Sequence, residues 1–439
     1  MAHINQVLKE VLNEIKIPDV DLKFIKKTLD EFLDRLNKKI KDKKISAEVF
    51  VGGSFAKQTM MKKGEYDIDI FVRYDKKYKN EEISEITKNL LKNIANFSIM
   101  HGSRDYFRIK IKSNLIFEII PVKKINSSKE AENITDLSYS HVKYIKKKTK
   151  QTRPSVAELK KTKNKRKILD EILLAKAFCY ANKYYGAESH IKGFSGYSLE
   201  LLVYHYKSFL GFIRAVSKIK KTEIIDIEKY YKNKNSVLMD LNSAKLQSPM
   251  ILVDPTYKQR NVLAVLSHET FKKFQDDCRV FLKNPKKEIF VRRKTDFNLL
   301  IKNSKTKKHE FILIEIKTDK KEESIAGSKL LKFFNYLNNE IGKKFEIRNK
   351  KFEYENGQTA KCFFSAVKIE KITITGPKFD DAENVKRFRK KHKKTFIKNK
   401  RIYSEEKPNL RLSKFIENWN QKNKKQMKDM HITNIRILL

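Results

Sequence analysis

The stretch VGGSFAKQTMMKKGEYDIDIFV (residues 51–72) places two aspartates, Asp67 and Asp69, in an otherwise apolar run. Because alternate residues of a strand share a face, residues 66–74 predict a strand whose aspartates point together while Ile68 and Ile70 point into a core. Carboxylates in such a strand are costly unless cations meet them. Paired hard oxygen ligands suit Mg²⁺, which shares its shell with substrate phosphates.

Two neighbouring features strengthen this interpretation. Gly52-Gly53-Ser54 follows a predicted strand and precedes a predicted helix, where backbone N–H groups and the Ser54 hydroxyl can hold phosphate oxygens. Glu118 stands isolated in an apolar strand and supplies a third carboxylate. Three carboxylates around two cations suit phosphoryl or nucleotidyl displacement. Asp-Ile-Asp alone would favour a polar edge strand; the combination favours nucleotidyl transfer.

Composition indicates the class of partner. Among 439 residues, Lys and Arg number 98 and Asp and Glu 53, so the net charge is +45. A polyphosphate such as nucleic acid is the simplest partner, although a lysine-rich genome would raise the charge without changing the function. The three cysteines lie far apart and indicate neither zinc nor disulfides. Without an apolar signal core or membrane-length segment, we expect a cytoplasmic protein with no membrane partner.

The chain predicts an α+β multidomain protein. A helical segment interrupted at Pro18 leads into a small α/β unit, and a basic stretch over 143–166 resembles a hinge or a solvated helix face. Helical spacing then dominates to about residue 275. Further expected features are a hairpin of strands 106–112 and 115–122, strands over 288–292 and 311–316, a turn at Gly376-Pro377 and a helix over 380–394.

Gly-Ser, a spacer and Asp-Ile-Asp resemble the signature of the DNA-polymerase-β nucleotidyltransferase superfamily. Further segments are similar to those of the archaeal (class I) CCA-adding tRNA nucleotidyltransferases, and the similarity runs from about residue 50 to 400. These segments are Asp136-Leu-Ser-Tyr-Ser-His141, Lys176, Tyr185–Glu188 with Gly193–Tyr197 and Glu200–Leu202, Val253-Asp-Pro255 with Arg260-Asn-Val262, and Thr375-Gly-Pro377 with Phe388–His392.

The resemblance implies a polymerase-β-like head made of a mixed sheet with helices, a helical neck, and an α/β body and tail. The implied ranges are 1–145 for the catalytic head, 146–275 for the base-recognising neck, 276–315 with 400–439 for the body, and 316–399 for the tail that binds the tRNA acceptor and TΨC arm. The implied reaction adds C, C and A to tRNA 3′ ends from CTP and ATP without a template and releases pyrophosphate.

The resemblance also implies roles for individual residues. Asp67, Asp69 and Glu118 would bind two Mg²⁺ ions, and Glu118, where the family usually has Asp, would help deprotonate the tRNA 3′-OH. Leu137 replaces a family arginine, and Ser138 a threonine. The implied nucleotide-binding residues are Gly53, Ser54, Ser138, His141, Lys176, Tyr185 and Arg260. The expected tRNA-binding residues are Arg387, Arg389, Lys390, Lys391, Lys393 and Lys394.

Each of these residues has a plainer interpretation. His141 could be a satisfied structural histidine, Lys176 could extend its ammonium to solvent, and Tyr185 could belong to the core. Arg260 could form a structural ion pair with Asp254. For the whole chain, the alternatives are a poly(A)-polymerase or oligoadenylate-synthetase-like enzyme, and a non-catalytic RNA-binding protein with the same fold. A homodimer is left open.

Overall fold

The computed structural model describes residues 2–102, 104–112, 114–151, 167–292, 294–406 and 410–439. The chain divides into two compact units, Met1–Arg293 and Lys294–Leu439. The finer division into head, neck, body and tail stays a prediction. Of the basic stretch 143–166, residues 152–166 lie outside the described residues.

The first unit combines strands with helices along its whole length. Its helices are α1 (Ala2–Ile15), α2 (Asp19–Asp42), α3 (Gly53–Ala56), α4 (Asn80–Leu91), α5 (Ser138–Gln151), α6 (Ile168–Ala181), α7 (Gly196–Tyr206), α8 (Phe209–Val216), α9 (Lys234–Asp240) and α10 (His268–Lys283). Its strands are β1 (Ala47–Val51), β2 (Tyr66–Tyr74), β3 (Ser98–Met100), β4 (Tyr106–Lys112), β5 (Leu115–Lys123), β6 (Glu223–Ile225), β7 (Met250–Asp254) and β8 (Tyr257–Asn261).

A five-stranded sheet in the order β1-β2-β5-β4-β3 carries the carboxylates. Strands β2 and β5 are parallel, and β4 and β5 form the expected antiparallel hairpin pair. Ile68 and Ile70 are fully buried in a core shared with α2 and α4, as the alternation of the strand predicted. The opposite face of β2 is therefore left for Asp67 and Asp69.

A helical layer forms the larger core of this unit. Helix α6 buries residues around most of its circumference and packs on α1 and α7. The strand expected over 288–292 is wrong: Lys287–Phe290 forms a 3₁₀ helix. The physical reason is local packing, because this turn brings the Phe290 ring to 5.6 Å from the Phe178 ring and 5.4 Å from the Phe281 ring, measured between centroids.

The second unit contains a four-stranded and a three-stranded sheet. Its helices are α11 (Phe297–Thr306), α12 (Glu323–Gly342), α13 (Ala382–Lys391), α14 (Leu412–Lys422) and α15 (Lys424–Asp429). Its strands are β9 (Glu310–Thr318), β10 (Phe345–Glu353), β11 (Thr359–Lys368), β12 (Ile372–Lys378), β13 (Thr395–Lys398), β14 (Arg401–Glu406) and β15 (Ile432–Ile437). The strand orders of the two sheets are β10-β11-β9-β15 and β12-β14-β13.

Strand β9 confirms the strand expected over 311–316, whereas the turn at Gly376-Pro377 is wrong. These two residues lie inside β12, where the pairing with β14 shifts register between Thr375 and Lys378. A bulge of this kind accommodates a proline that cannot donate a ladder hydrogen bond. The α+β multidomain expectation is confirmed. None of the described helices combines the length and the apolar character needed to cross a membrane.

Candidate active site

The three predicted carboxylates lie on neighbouring strands. Asp69 on β2 is the register partner of Glu118 on the parallel strand β5, and Asp67 stands two residues before Asp69 on the same face. Burial raises the pKa of Asp69 from 3.8 to about 6, Lys57 opposes this rise, and the charge of Asp67 adds to it. The positive charge around Asp69 is therefore too small to offset the cost of burying its ionised carboxylate.

Arg108 lies beside two of these carboxylates. Its Nη2 is 3.5 Å from Asp67 Oδ1 and its Nε is 3.6 Å from Glu118 Oε1, across the antiparallel β4–β5 pair. Within the described ranges no group of three or more His, Cys, Asp and Glu side chains is arranged to hold a metal ion. The three carboxylates thus lie on the same face of the sheet beside Arg108, but their side chains are not arranged around a single point.

The donor set nevertheless fits a divalent cation. Asp67 Oδ1 is buried and accepts no hydrogen bond from the described residues, and an adjacent pair of carboxylates supplies the hard oxygen ligands that such ions prefer. The ionised form of Asp69 is costly in these surroundings. A bound cation would relieve both costs, so the residues present suit the metal that the resemblance implies.

The Gly-Gly-Ser segment lies directly over Asp69. The Gly52 N–H donates to the Asp69 carbonyl oxygen at 2.8 Å. Gly53 has φ of +59°, and a Cβ at this position would lie 1.6 Å from Asp69 Oδ2. Glycine is therefore required here both for the left-handed conformation and for the close approach. Ser54 follows it at the start of the short helix α3, adjacent to the carboxylates.

A buried group of four side chains lies next to this segment, here called the Glu200 cluster: Lys57, Thr59, Lys176 and Glu200. Glu200 Oε1 accepts from Lys176 Nζ at 2.7 Å, and Glu200 Oε2 accepts from Lys57 Nζ at 2.7 Å. Lys176 is 2% exposed, so the interpretation that its ammonium reaches solvent is wrong. Burial lowers the pKa of Lys176 to about 8 against the raising effect of Glu200.

A second buried carboxylate, Asp254, contacts two of the expected nucleotide-binding residues, Arg260 and His141. Asp254 Oδ2 accepts from Arg260 Nη1 at 2.6 Å and lies 3.1 Å from His141 Nε2. Burial would raise the pKa of Asp254, but His141 and Arg260 bring it well below its usual range. The proposed ion pair of Arg260 with Asp254 is therefore present. His141 also stacks on Tyr197, with ring centroids 4.0 Å apart.

Tyr185 lies near the Glu200 cluster. A Cβ on Gly196 would be 2.7 Å from the Tyr185 hydroxyl and 3.6 Å from Lys176 Nζ, which places both polar ends at the start of α7. Burial raises the pKa of Tyr185, and the charges of Glu200 and Asp69 raise it further. Ser138 is the first residue of α5, the helix that also carries His141. Their ligand-binding roles stay predictions.

The six basic residues expected to bind tRNA all belong to the second unit. All of them are exposed, and they lie on α13 and in the segment that follows it: Arg387, Arg389, Lys390, Lys391, Lys393 and Lys394. Arg387 pairs with Glu383 one turn earlier. The other five are exposed cations, which suit contacts with a phosphate backbone.

Sequence reasoning missed several residues of the site. Lys57 lies three residues after Ser54, but in a chain this rich in lysine its position gives no signal. Glu200 gives one, because a glutamate within an apolar helical run indicates a buried charge partner. Arg108 gave no signal, because only the β4–β5 register brings it opposite Glu118.

The fold and the site define a nucleotidyltransferase. A family model described as "Nucleotidyltransferase domain" matches residues 29–174, and one described as "tRNA nucleotidyltransferase, second domain" matches residues 170–291. A CCA-adding enzyme of Nanoarchaeum equitans is 32% identical over 362 residues, which cover 81% of this chain and 83% of that protein. One from Methanocaldococcus jannaschii is 29% identical over 415 residues, covering 91% and 87%. The chain belongs to the CCA-adding enzyme family.

Solved structures give the same fold at lower similarity. The Cid1 RNA terminal uridylyl transferase is 14% identical with a TM-score of 0.50, covering 67% of this chain and 99% of that chain. The Cid1 poly(U) polymerase in a MgATP-bound form is 15% identical with a TM-score of 0.50, covering 66% and 99%. These likenesses confirm the polymerase-β-like fold and concern the fold alone.

Proposed function

We propose that this chain completes tRNA 3′ ends by template-independent addition of C, C and A from CTP and ATP. The observation that carries the proposal is the placement of Asp67 and Asp69 on one face of β2, with Asp69 in register with Glu118 and against Gly53 of the Gly-Gly-Ser segment. In a chain of the CCA-adding enzyme family, these residues combine the acidic and phosphate-binding parts of a nucleotidyl-transfer site.

In each cycle, the 3′-oxygen of the tRNA forms a bond to the α-phosphorus of the nucleotide, and the bond from that phosphorus to the bridging oxygen breaks. Pyrophosphate leaves with the electron pair of the broken bond. Glu118 would accept the proton of the 3′-OH, directly or through water. The backbone of the Gly-Gly-Ser segment and the Ser54 hydroxyl would hold the triphosphate in line for this displacement.

Asp67, Asp69 and Glu118 would hold the divalent ions that nucleotidyltransferases of this superfamily use, and we assign Mg²⁺ to them. When bound, the ions supply charge stabilisation to the phosphates. Lys57 belongs to the same site, since its ammonium is bound to Glu200 at 2.7 Å and stabilises ionised Asp69. Ser138, His141 and Tyr185 would complete the phosphate and ribose contacts. Lys176, whose ammonium is bound by Glu200 and Thr59, would act on the phosphates through its charge.

Arg260, which pairs with the buried Asp254, would select the base by facing its Watson–Crick edge. CTP and ATP both carry an exocyclic amine beside a ring-nitrogen acceptor, whereas UTP and GTP do not. A guanidinium can donate to that ring nitrogen. Among the described residues Arg260 donates to Asp254 through Nη1 alone, so its other N–H groups can meet a base. A wrong base would leave buried polar groups unpaired, which makes discrimination steep.

The tRNA itself would contact the basic residues on and after α13. A-form RNA is recognised there through its backbone and shape, and exposed cations such as Lys390 and Lys393 suit phosphates. The division into catalytic head 1–145, neck 146–275, body and tail accompanies this proposal. A homodimer is not needed for it.

The deciding experiment is incorporation of labelled CTP and ATP into a tRNA transcript that lacks CCA, with each nucleotide alone and with both. We expect two C and one A, followed by arrest. Continuous tailing with ATP alone would instead indicate a poly(A)-type enzyme. Binding of tRNA without incorporation would indicate a non-catalytic RNA-binding protein.

A further inference from the structure

Glu200 is fully buried and is the meeting point of three groups from two parts of the first unit. Its carboxylate on α7 accepts from Lys57 and Thr59, which follow the Gly-Gly-Ser segment, and from Lys176 on α6, each at 2.7 Å. Burial would raise the pKa of Glu200, but Lys176 and Lys57 together lower it to about 2. The carboxylate is thus charged, and it stabilises both ammonium groups.

The two lysines are bound differently. Lys176 Nζ has three protons and three acceptors: Glu200 Oε1, the Thr59 hydroxyl at 2.8 Å and the Thr59 carbonyl at 3.2 Å. Lys57 Nζ donates to Glu200 Oε2 and to no second acceptor among the described residues. With two ammonium groups and one carboxylate, the cluster keeps one excess positive charge. That charge faces Asp69, whose ionised form Lys57 stabilises.

We propose that Glu200 is a positioning residue that holds the Lys57 ammonium in place for the nucleotide triphosphate. This inference rests on the proposed function. Glu200 itself lies beneath the site and does not touch substrate. A lysine side chain that is free in solution loses conformational entropy each time it binds a ligand. A lysine that a buried carboxylate already holds presents its remaining N–H groups without that further loss of entropy.

A purely structural role would make different predictions, because Glu200 also ties α7 to the segment after α3. The discriminating measurement is the affinity for tripolyphosphate in the presence of Mg²⁺, measured by titration calorimetry on the full chain. We expect Glu200→Gln to weaken it about tenfold, equivalent to ~1.4 kcal/mol. The KM for CTP should rise in parallel, while the preference for CTP over UTP should stay unchanged because Arg260 is not affected.

A double-mutant cycle tests whether Glu200 acts through Lys57. Lys57→Met should weaken tripolyphosphate binding at least as much as Glu200→Gln, and the double variant should bind no more weakly than Lys57→Met alone. The proposal would be overturned if the fold-loss of tripolyphosphate affinity in the double variant equalled the product of the two single-variant losses. Wild-type affinity in Glu200→Gln would also overturn it.

Glu171→Gln is the matched control. Glu171 is a buried glutamate on α6 whose carboxylate accepts from the Phe209 N–H at 2.8 Å. Its replacement should lower the melting temperature and leave tripolyphosphate affinity unchanged. If Glu171→Gln weakened that affinity as much as Glu200→Gln, the effect would be general loosening and the proposal would fail. Failure of the proposed function is separate: wild-type protein would then add neither CMP nor AMP to tRNA, whatever the tripolyphosphate cycle shows.

Discussion

Replacing Asp69 by asparagine is expected to abolish incorporation and, in the absence of metal, to stabilise the protein. The pKa of Asp69 rises from 3.8 to about 6 on folding because its surroundings disfavour the charge. Between these two values the folded protein binds more protons than the unfolded chain, so the free energy of unfolding falls as pH rises. Above pH 6 the full cost of the ionised carboxylate is present.

Each pKa unit corresponds to about 1.4 kcal/mol, so ionised Asp69 costs at most about 3 kcal/mol at pH 7.5. This is an upper limit, since the side chain is half-buried and solvent screens part of the charge. Asp69→Asn removes that cost. Thermal unfolding in EDTA should show a melting temperature up to about 6 °C above wild type at pH 7.5. The gain should disappear near pH 3.5, and Mg²⁺ should raise the wild-type melting temperature more than that of the variant.

Asp136→Asn is the matched control with the opposite expected sign. Asp136 is a fully buried aspartate of the first unit, and it pairs with Arg104 at 2.6 Å. Breaking a buried pair costs about 3–5 kcal/mol. The reasoning on Asp69 is refuted if Asp69→Asn destabilises the metal-free protein at pH 7.5 as Asp136→Asn does. Near-normal turnover of Asp69→Asn, with tRNA binding intact, would refute the metal-binding assignment.

Three further predictions concern other parts of the protein. Gly53→Ala should reduce incorporation more than tenfold in a single-turnover assay, and an unchanged rate would contradict this. The new Cβ would clash with Asp69 Oδ2, and the left-handed backbone would add about 1–2 kcal/mol of strain. Asp254→Asn removes the buried charge that pairs with Arg260, so it should lower the free energy of unfolding in urea by about 3 kcal/mol. The same variant should incorporate more UTP, and unchanged selectivity would show that Asp254 has no part in base recognition. Lys390→Glu with Lys393→Glu should weaken tRNA binding and reduce its salt dependence by about one unit per lost phosphate contact, whereas Lys332→Glu, an exposed control on α12, should not.

Local features of the fold were predictable from the sequence wherever one physical rule dominated. Strict alternation around Asp67 and Asp69 predicted β2 with its correct bounds, and Pro18 predicted the break between α1 and α2. Predictions failed where tertiary packing determined the local structure. Residues 288–292 have strand-like composition, but burial of Phe290 in an aromatic cluster imposes a 3₁₀ turn.

The sequence by itself determined the chemistry of the site, because Asp-Ile-Asp, Gly-Gly-Ser and the isolated Glu118 are local patterns with few uses. Only the tertiary structure determined which charges meet. Arg108 reaches Asp67 through strand register, and Lys57 meets Glu200 at a separation of 143 residues. Arg260 on β8 shares Asp254 with His141, which comes from helix α5. Electrostatic energy depends on distance through space and on burial, and neither quantity can be read along the chain.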